Sequence, residues 1–477
     1  MYLGILASHP VQYQAPWFRT LAQQVDLEVF FAHRQTPKGQ ADGGFGIAFD
    51  WDIDLLSGYK HRFLNNVSRR PGTGHFFGCD NPEIRQIIRW GRASGVPSSL
   101  HSPISDLQSK KRFDAFIVSG WQLKCYWQAV RACRRARVPV LVRGDSQLGT
   151  PRSPLKRIAK EILYRLLLRQ FDGFLVVGQR NREYLKHYGV KDQRMFFAPH
   201  FVDNEWFAKE AAKVRGPWSV VRGRGSTAGG QSTGLQDYRT TGPQDQRTKI
   251  RIQWGIPGDA FCVLFCGKFI PKKRPLDLVA AAQLLTAENA KNSKDTIKRP
   301  IHLLFAGSGE LGNQLRGSCR VVFDEEAAVD QSARLYDFSI SASQNVSISS
   351  LLPSATFAGF LNQSEISKAY VAADCLVLPS DGGETWGLVV NEAMACGLPA
   401  VVSDAAGCAP DLIDEGKTGF TFPVGDAAQL ANRLALLLEM KQRGHDFRPA
   451  LAEKMRTYNV ASAVNGTLKA VDTLARR

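Results

Sequence analysis

The chain has 477 residues, 44% of them hydrophobic and 22% charged, with 61 Lys and Arg against 44 Asp and Glu and a formal net charge of +17. That length exceeds what one hydrophobic core supports and predicts two domains with insertions, while the composition excludes a fibrous, low-complexity or wholly disordered chain. The positive balance calls for an anionic counterpart, and nucleotide phosphates, an anionic membrane surface, a lipid-phosphate acceptor and nucleic acid all meet that requirement.

The opening run Met1 to Pro10 has no basic leader and its apolar stretch stops too soon for a signal peptide, so it reads as a first buried strand. No apolar run approaches the ~20 residues of a membrane-spanning helix, and the longest candidate, Leu163 to Leu168, is bracketed by arginines. A cytoplasmic protein is expected. The 9 cysteines are scattered through apolar segments without metal-ligand spacing and read as reduced core thiols.

Short apolar runs at Leu3 to Ala7, Leu27 to Ala32, Phe113 to Ser119, Pro139 to Arg143, Gly173 to Val177 and Met195 to Ala198 alternate with helix-like stretches, the pattern of a parallel sheet wound with helices. Among those stretches are Ala15 to Gln24 and one opening at Asn81-Pro82-Glu83, where Asn caps and Pro suits the first turn. This half is assigned to residues 1–205. Residues 206–250 are expected to form a linker or inserted loop, because Gly216 to Arg251 is polar, glycine-rich and too poor in apolar residues to offset its ordering entropy.

A second series follows over residues 251–430, with strands expected at Phe261 to Cys266, Ile301 to Ala306, Ala355 to Gly359, Cys375 to Pro379 and Pro399 to Ser403. A Ser-rich stretch around Ser339 to Ser343 marks a further insertion at 317–353. Residues 431–477 are helical in pattern and close the chain.

The densest constellation is Asp381-Gly382-Gly383-Glu384-Thr385-Trp386-Gly387-Leu388-Val389-Val390-Asn391-Glu392. A strand runs into a glycine loop and a helix starts near Gly387, which is how a backbone presents amides and a positive dipole end to a pyrophosphate. Glu384 falls on the loop and Glu392 about two turns into the helix on a nearby face, so one carboxylate can hold sugar hydroxyls and the other a ribose. A solvated pair of glutamates is the alternative.

Two further glycine loops follow strands. Gly267-Lys268-Phe269-Ile270-Pro271-Lys272-Lys273 is basic, and Gly307-Ser308-Gly309 lies at a strand's carboxyl end, where open α/β sheets bind ligands. Taken alone, each also fits a solvated turn.

With Glu-Ala-Met-Ala-Cys-Gly-Leu-Pro after the paired glutamates, Phe360 to Ile366 and Ala372 to Ser380 before them, and Gly416 to Phe420 beyond, the chain resembles the retaining nucleotide-sugar glycosyltransferases of family 4, in a bacterial cell-surface polysaccharide branch. The resemblance implies a GT-B fold: α/β, two Rossmann-like domains facing a central cleft, with C-terminal helices. It implies a UDP- or GDP-linked sugar donor as substrate, a saccharide or lipid-linked acceptor, retention at the anomeric carbon, and neither metal nor cofactor.

Glu384 is then expected to hold the donor sugar and Glu392 the ribose, with Lys268 and Lys273 on the diphosphate. Gly383, Thr385, Trp386, Gly387, Leu388, Gly307 and Gly309 are expected to line the donor. In the N-terminal half, Ser8-His9-Pro10 resembles the family branch's first loop, and His9 either touches a sugar or caps the next helix. Arg143-Gly144-Asp145-Ser146 stands where many members carry a histidine. There Asp145 is expected to orient an acceptor hydroxyl and Arg143 to meet a phosphate, a buried Arg-Asp pair being the alternative.

The segment Ser153 to Arg169 spaces apolar residues helically with lysines and arginines between them, as a helix lying on anionic lipid does. An ordinary helix packed on the domain with a solvated basic face is the reading these residues alone favour. Binding to nucleic acid is not expected, since Arg-Gly-Arg-Gly is brief and no basic face is interleaved with aromatics. A nucleic-acid-binding protein, and an epimerase or phosphorylase on the same frame, stand as the competing assignments.

Overall fold

The computed structural model describes residues 1–40, 46–90, 112–150, 153–215, 246–291, 299–326 and 352–475. The first sheet is built from β1 (Tyr2–Ala7), β2 (Asp26–Phe31), β3 (Lys60–Phe63), β4 (Ala115–Val118), β5 (Val140–Gly144), β6 (Gly173–Val176) and β7 (Met195–Phe197) in the order β3-β2-β1-β4-β5-β6-β7. All of its pairings are parallel. The second contains β8 (Phe261–Cys266), β9 (Ile301–Ala306), β10 (Arg320–Asp324), β11 (Ser354–Phe357), β12 (Cys375–Leu378), β13 (Ala400–Ser403) and β14 (Gly419–Phe422). Its order is β10-β11-β9-β8-β12-β13-β14, again parallel throughout. Two doubly wound sheets facing each other form the GT-B architecture that the sequence implied.

Period-two alternation splits the first sheet's core into two layers. Tyr2, Leu6, Phe116 and Val118 pack on one face, and Leu3, Ile5, Ala115 and Ile117 on the other. Gly4 lies on the crowded face, where a Cβ would sit 2.4 Å from the Phe116 ring. The second domain has one continuous core around β8, β9, β12 and β13.

Several boundaries differ from the sequence reading. Residues 206–215 are not linker: the helix Asn204–Arg215 buries Phe207 and Ala211 and packs on the helices Ile366–Ala372 and Leu388–Ala395. The helix Gln246–Gln253 follows, and residues 216–245 lie outside the described residues. The segment 317–353 is not all insertion, since it contains β10, which pairs with β11 just beyond it; residues 327–351, with the Ser339 to Ser343 stretch, lie outside the described residues.

The expected break at 430/431 cuts the helix Ala427–Gln442, which packs on β13 and β14. The last helix, Val460–Ala475, returns to the first domain, setting Ala463, Val464, Ala470, Val471 and Leu474 into the layer behind β1 and β4. It therefore stabilises the N-terminal sheet from the far end of the chain. Leu474→Ala should cost about 2–5 kcal/mol of that domain's stability, as truncation of a well-packed leucine does; denaturant unfolding followed by N-terminal tryptophan fluorescence measures it.

Candidate functional site

Strand order reverses beside the first strand of each sheet, between β1 and β4 and between β8 and β12. At such points neighbouring loops leave in opposite directions and open a crevice at the carboxyl ends of the strands. Lys268 and Lys273 follow β8, and Glu384 follows β12, on either side of the second reversal.

Lys273 Nζ donates to Glu384 Oε2, and both side chains are largely buried. Ser380 Oγ donates to the same carboxylate oxygen at 3.3 Å. Burial alone would push the Glu384 carboxyl up, but the Lys273 ammonium, with Lys272 behind it, holds it below its ordinary value. Lys268 is lowered, first by burial and then by Lys272 and Lys273, so the loop concentrates positive charge against its own repulsion. A diphosphate relieves that repulsion.

The glycines permit close approaches of backbone to backbone. Gly307 (φ 137°) approaches the Gly267 loop so closely that a Cβ would lie 2.0 Å from the Gly267 carbonyl oxygen, and at Gly309 (φ 148°) a Cβ would lie 2.8 Å from Phe269 backbone. The two loops are thus stacked backbone on backbone. Gly387 (φ 110°) precedes the helix Leu388–Ala395, which Leu388 opens, and a Cβ at Gly387 would strike Leu378. Gly383 donates its amide to Asp381 Oδ1 at 2.7 Å, so this amide serves the turn itself.

Glu392 is the fifth residue of its helix, little more than one turn in rather than two. Tyr370 Oη donates to its Oε2 at 2.5 Å, yet burial raises the carboxyl to about 7. It borders a cavity of about 440 Å³ closed by Gln12, Tyr13, Ile53 and Asp54 of the first domain and by Gln363 of the second. Cys266, at the end of β8, feels both Glu392 and Lys273.

The first domain brings some expected residues to this place and withholds others. Asp145 reaches the cleft, where Thr385 Oγ1 donates to its Oδ2 at 2.7 Å; Thr385 is thereby tied across the domains. Arg143 does not pair with Asp145 directly. It is buried over the Trp17 and Phe201 rings and donates to the Pro199 carbonyl at 2.8 Å, burial lowering it to about 10.

Trp386 is likewise turned inward. Its indole is buried against His200 and Tyr458 and donates to Asn391 Oδ1 at 2.8 Å. His9 shares a 3.0 Å hydrogen bond with Ser8 and is lowered to about 4, first by burial and then by His33, so its ring is neutral at neutral pH. It caps no helix: Ala15–Ala22 is entered through Gln14 without a side-chain cap.

Sequence reasoning missed the residues that join the halves. Gln147 Nε2 donates to the carbonyls of Gly382, Glu384 and Ala405. Asn362 Nδ2 donates to the Asp50 carbonyl at 2.7 Å, the Ser364 amide donates to Asp52 at 3.2 Å, and Phe49 packs on Phe360 with ring centroids 4.4 Å apart. The Gln179 amide donates to Asp411 at 3.0 Å. Only the position of Gln147, just beyond a strand's carboxyl end, offered a signal.

Fold and site together define the class of protein, a GT-B chain with a charged crevice in its C-terminal domain. Residues 347–456 match the family of glycosyl transferases group 1. Among characterised proteins, the chain is similar to a sulfoquinovosyl transferase of Arabidopsis thaliana, 41% identical over 112 residues, 23% of this chain and 22% of that protein. It is also similar to D-inositol 3-phosphate glycosyltransferase 2 of Catenulispora acidiphila, 29% identical over 240 residues, 50% of this chain and 48% of that one. The chain spans less than half the length of these relatives. An Anabaena protein crystallised with UDP shares the fold at a TM-score of 0.58 and 15% identity, over 99% of this chain and 100% of that one.

The raised carboxyl of Glu392 makes a stability prediction. Its folded value, about 7, lies above the ordinary 4.5, so its contribution to stability is complete below about pH 4.5 and is lost as pH rises through 7. Glu392→Gln removes that dependence. The variant should gain about 1–2 kcal/mol on the parent between pH 4.5 and pH 8, less than full linkage because the carboxyl borders a cavity; urea unfolding at both pH values measures the difference.

Proposed function

We propose that the chain is a retaining glycosyltransferase that moves a sugar from a nucleoside diphosphate, UDP or GDP, to a saccharide or lipid-linked acceptor in cell-surface polysaccharide or lipid-linked glycan synthesis. The observation that carries this reading is the Lys273–Glu384 pair, with Lys268 nearby, at the reversal between β8 and β12. Its charges suit a diphosphate on one side and sugar hydroxyls on the other. The match of residues 347–456 to glycosyl transferases group 1 supports it.

In this reading a donor draws Lys273 and Lys268 onto its diphosphate and leaves Glu384 for the sugar, while Glu392 accepts from the ribose. The bond from the anomeric carbon to the diphosphate oxygen breaks, the acceptor oxygen bonds the same face, and the acceptor's proton passes to a donor phosphate oxygen. The two ammonium groups offset the charge that develops on the leaving diphosphate, and no cofactor besides the donor is needed. Asp145 orients the acceptor hydroxyl.

Lys273→Ala and Glu392→Ala should each weaken UDP or GDP binding by roughly 10- to 100-fold, the worth of one hydrogen bond to a charged group, with the fold intact by circular dichroism. Titrations by both variants that match the parent would dismiss the donor site. The anomeric configuration of the product, read by NMR, tests retention.

We also propose peripheral contact with an anionic membrane through the helix Pro154–Leu167. Ile162, Leu163 and Leu166 are 68%, 51% and 54% exposed on it, with Arg165 and Arg169 at the same end. Lys160 does not join the basic face, being turned onto the rings of Tyr164, Tyr184 and Tyr188. The protein should float with vesicles containing anionic lipid and remain behind with zwitterionic ones, and Ile162→Ser with Leu166→Ser should abolish flotation. A parent that stays in the soluble fraction with anionic vesicles contradicts this contact.

A further inference from the structure

Gln147 lies three residues beyond the end of β5, and it is 1% exposed. Its carboxamide nitrogen donates across the cleft to the carbonyls of Gly382 at 3.0 Å, Glu384 at 2.8 Å and Ala405 at 3.3 Å. Three carbonyl oxygens converging on one end of an amide fix which end is the NH2, since the other end is itself an acceptor. The Oε1 atom is buried without a hydrogen-bond partner among the described residues. Gln147 is therefore held in place through its nitrogen.

The backbone around it is equally close. A Cβ on Gly382 would lie 2.1 Å from the Gly149 carbonyl oxygen, so the loop from the first domain and the loop bearing Glu384 touch main chain to main chain. Asp145 and Thr385 add a second bond between the same two loops.

We propose that Gln147 is a positioning residue: when the domains close, it latches the loop from Pro379 to Gly387 and, through the carbonyl of Glu384, sets the direction in which that carboxylate meets the transferred sugar. Two N–H groups shared among three carbonyls make a fastening that exists only when the first domain's loop is seated. Separated, the Gly382 and Ala405 carbonyls are solvated instead and the Glu384 carbonyl keeps its 2.9 Å bond from the Gly407 amide, so the latch can open in each catalytic cycle. The inference rests on the reading of Glu384 as the carboxylate that holds the sugar.

Gln147→Met tests it, because methionine keeps the length and approximate volume of the side chain and donates nothing. Relative to the parent, kcat for transfer should fall by about tenfold or more, while the Kd for UDP or GDP changes by less than about threefold. Small-angle X-ray scattering with saturating nucleotide should show a more extended particle for the variant. A kcat within about threefold of the parent, or a nucleotide Kd that weakens as much as kcat falls, overturns the latch. Should the parent transfer no sugar from any nucleotide donor, the functional reading fails separately, and scattering still decides: equal compactness of Gln147→Met and parent rejects the latch.

Discussion

An ammonium and a carboxylate held together at the ends of two neighbouring parallel strands set the terms for the rest of this molecule. Neither Lys273 nor Glu384 would tolerate its depth in the protein alone, because an unpaired buried charge is far more costly than a paired one. Together they tie the loop after β8 to the loop after β12, and the Asp381 amide, donating to the Lys272 carbonyl at 2.9 Å, repeats the tie in the backbone. A ligand entering here has to supply Lys273 with a new anion and Glu384 with new donors at once. That double demand is what a diphosphate carrying a sugar meets.

The central strands were legible because they are buried on both faces and read as continuous apolar runs. The three that escaped, β3, β10 and β14, all lie at sheet edges. β3 is Lys-His-Arg-Phe and β10 is mostly half-exposed, and such polar edges blur the signal while blocking unwanted pairing. The charged crevice was legible for a different reason: the family resemblance singled out Lys268, Lys273, Glu384 and Glu392, all in one domain and on loops or a helix that follow strands.

What could not be read was direction and partnership across the cleft. Arg143 still belongs to β5, and its neighbours Trp17 and Phe201 draw the guanidinium inward. Trp386 lies among residues expected to face a ligand, but its ring packs against those of His200 and Tyr458. Gln147, Asp52 and Asp411 find their partners between 200 and 320 positions away, a separation over which local pattern carries no information.

The carboxylates at the helix starts are reciprocal. Asp411 of the second domain receives the Gln179 amide that opens a helix of the first, and Asp52 of the first receives the Ser364 amide ahead of a helix of the second. Asp411 completes a helix start of the other half, and Asp52 holds the turn that leads into one. Neither half is thus a freely exchangeable module: a chimaera that borrowed one of them from a relative lacking the matching aspartate would leave a backbone amide of the other half without its acceptor, however well its own core folded.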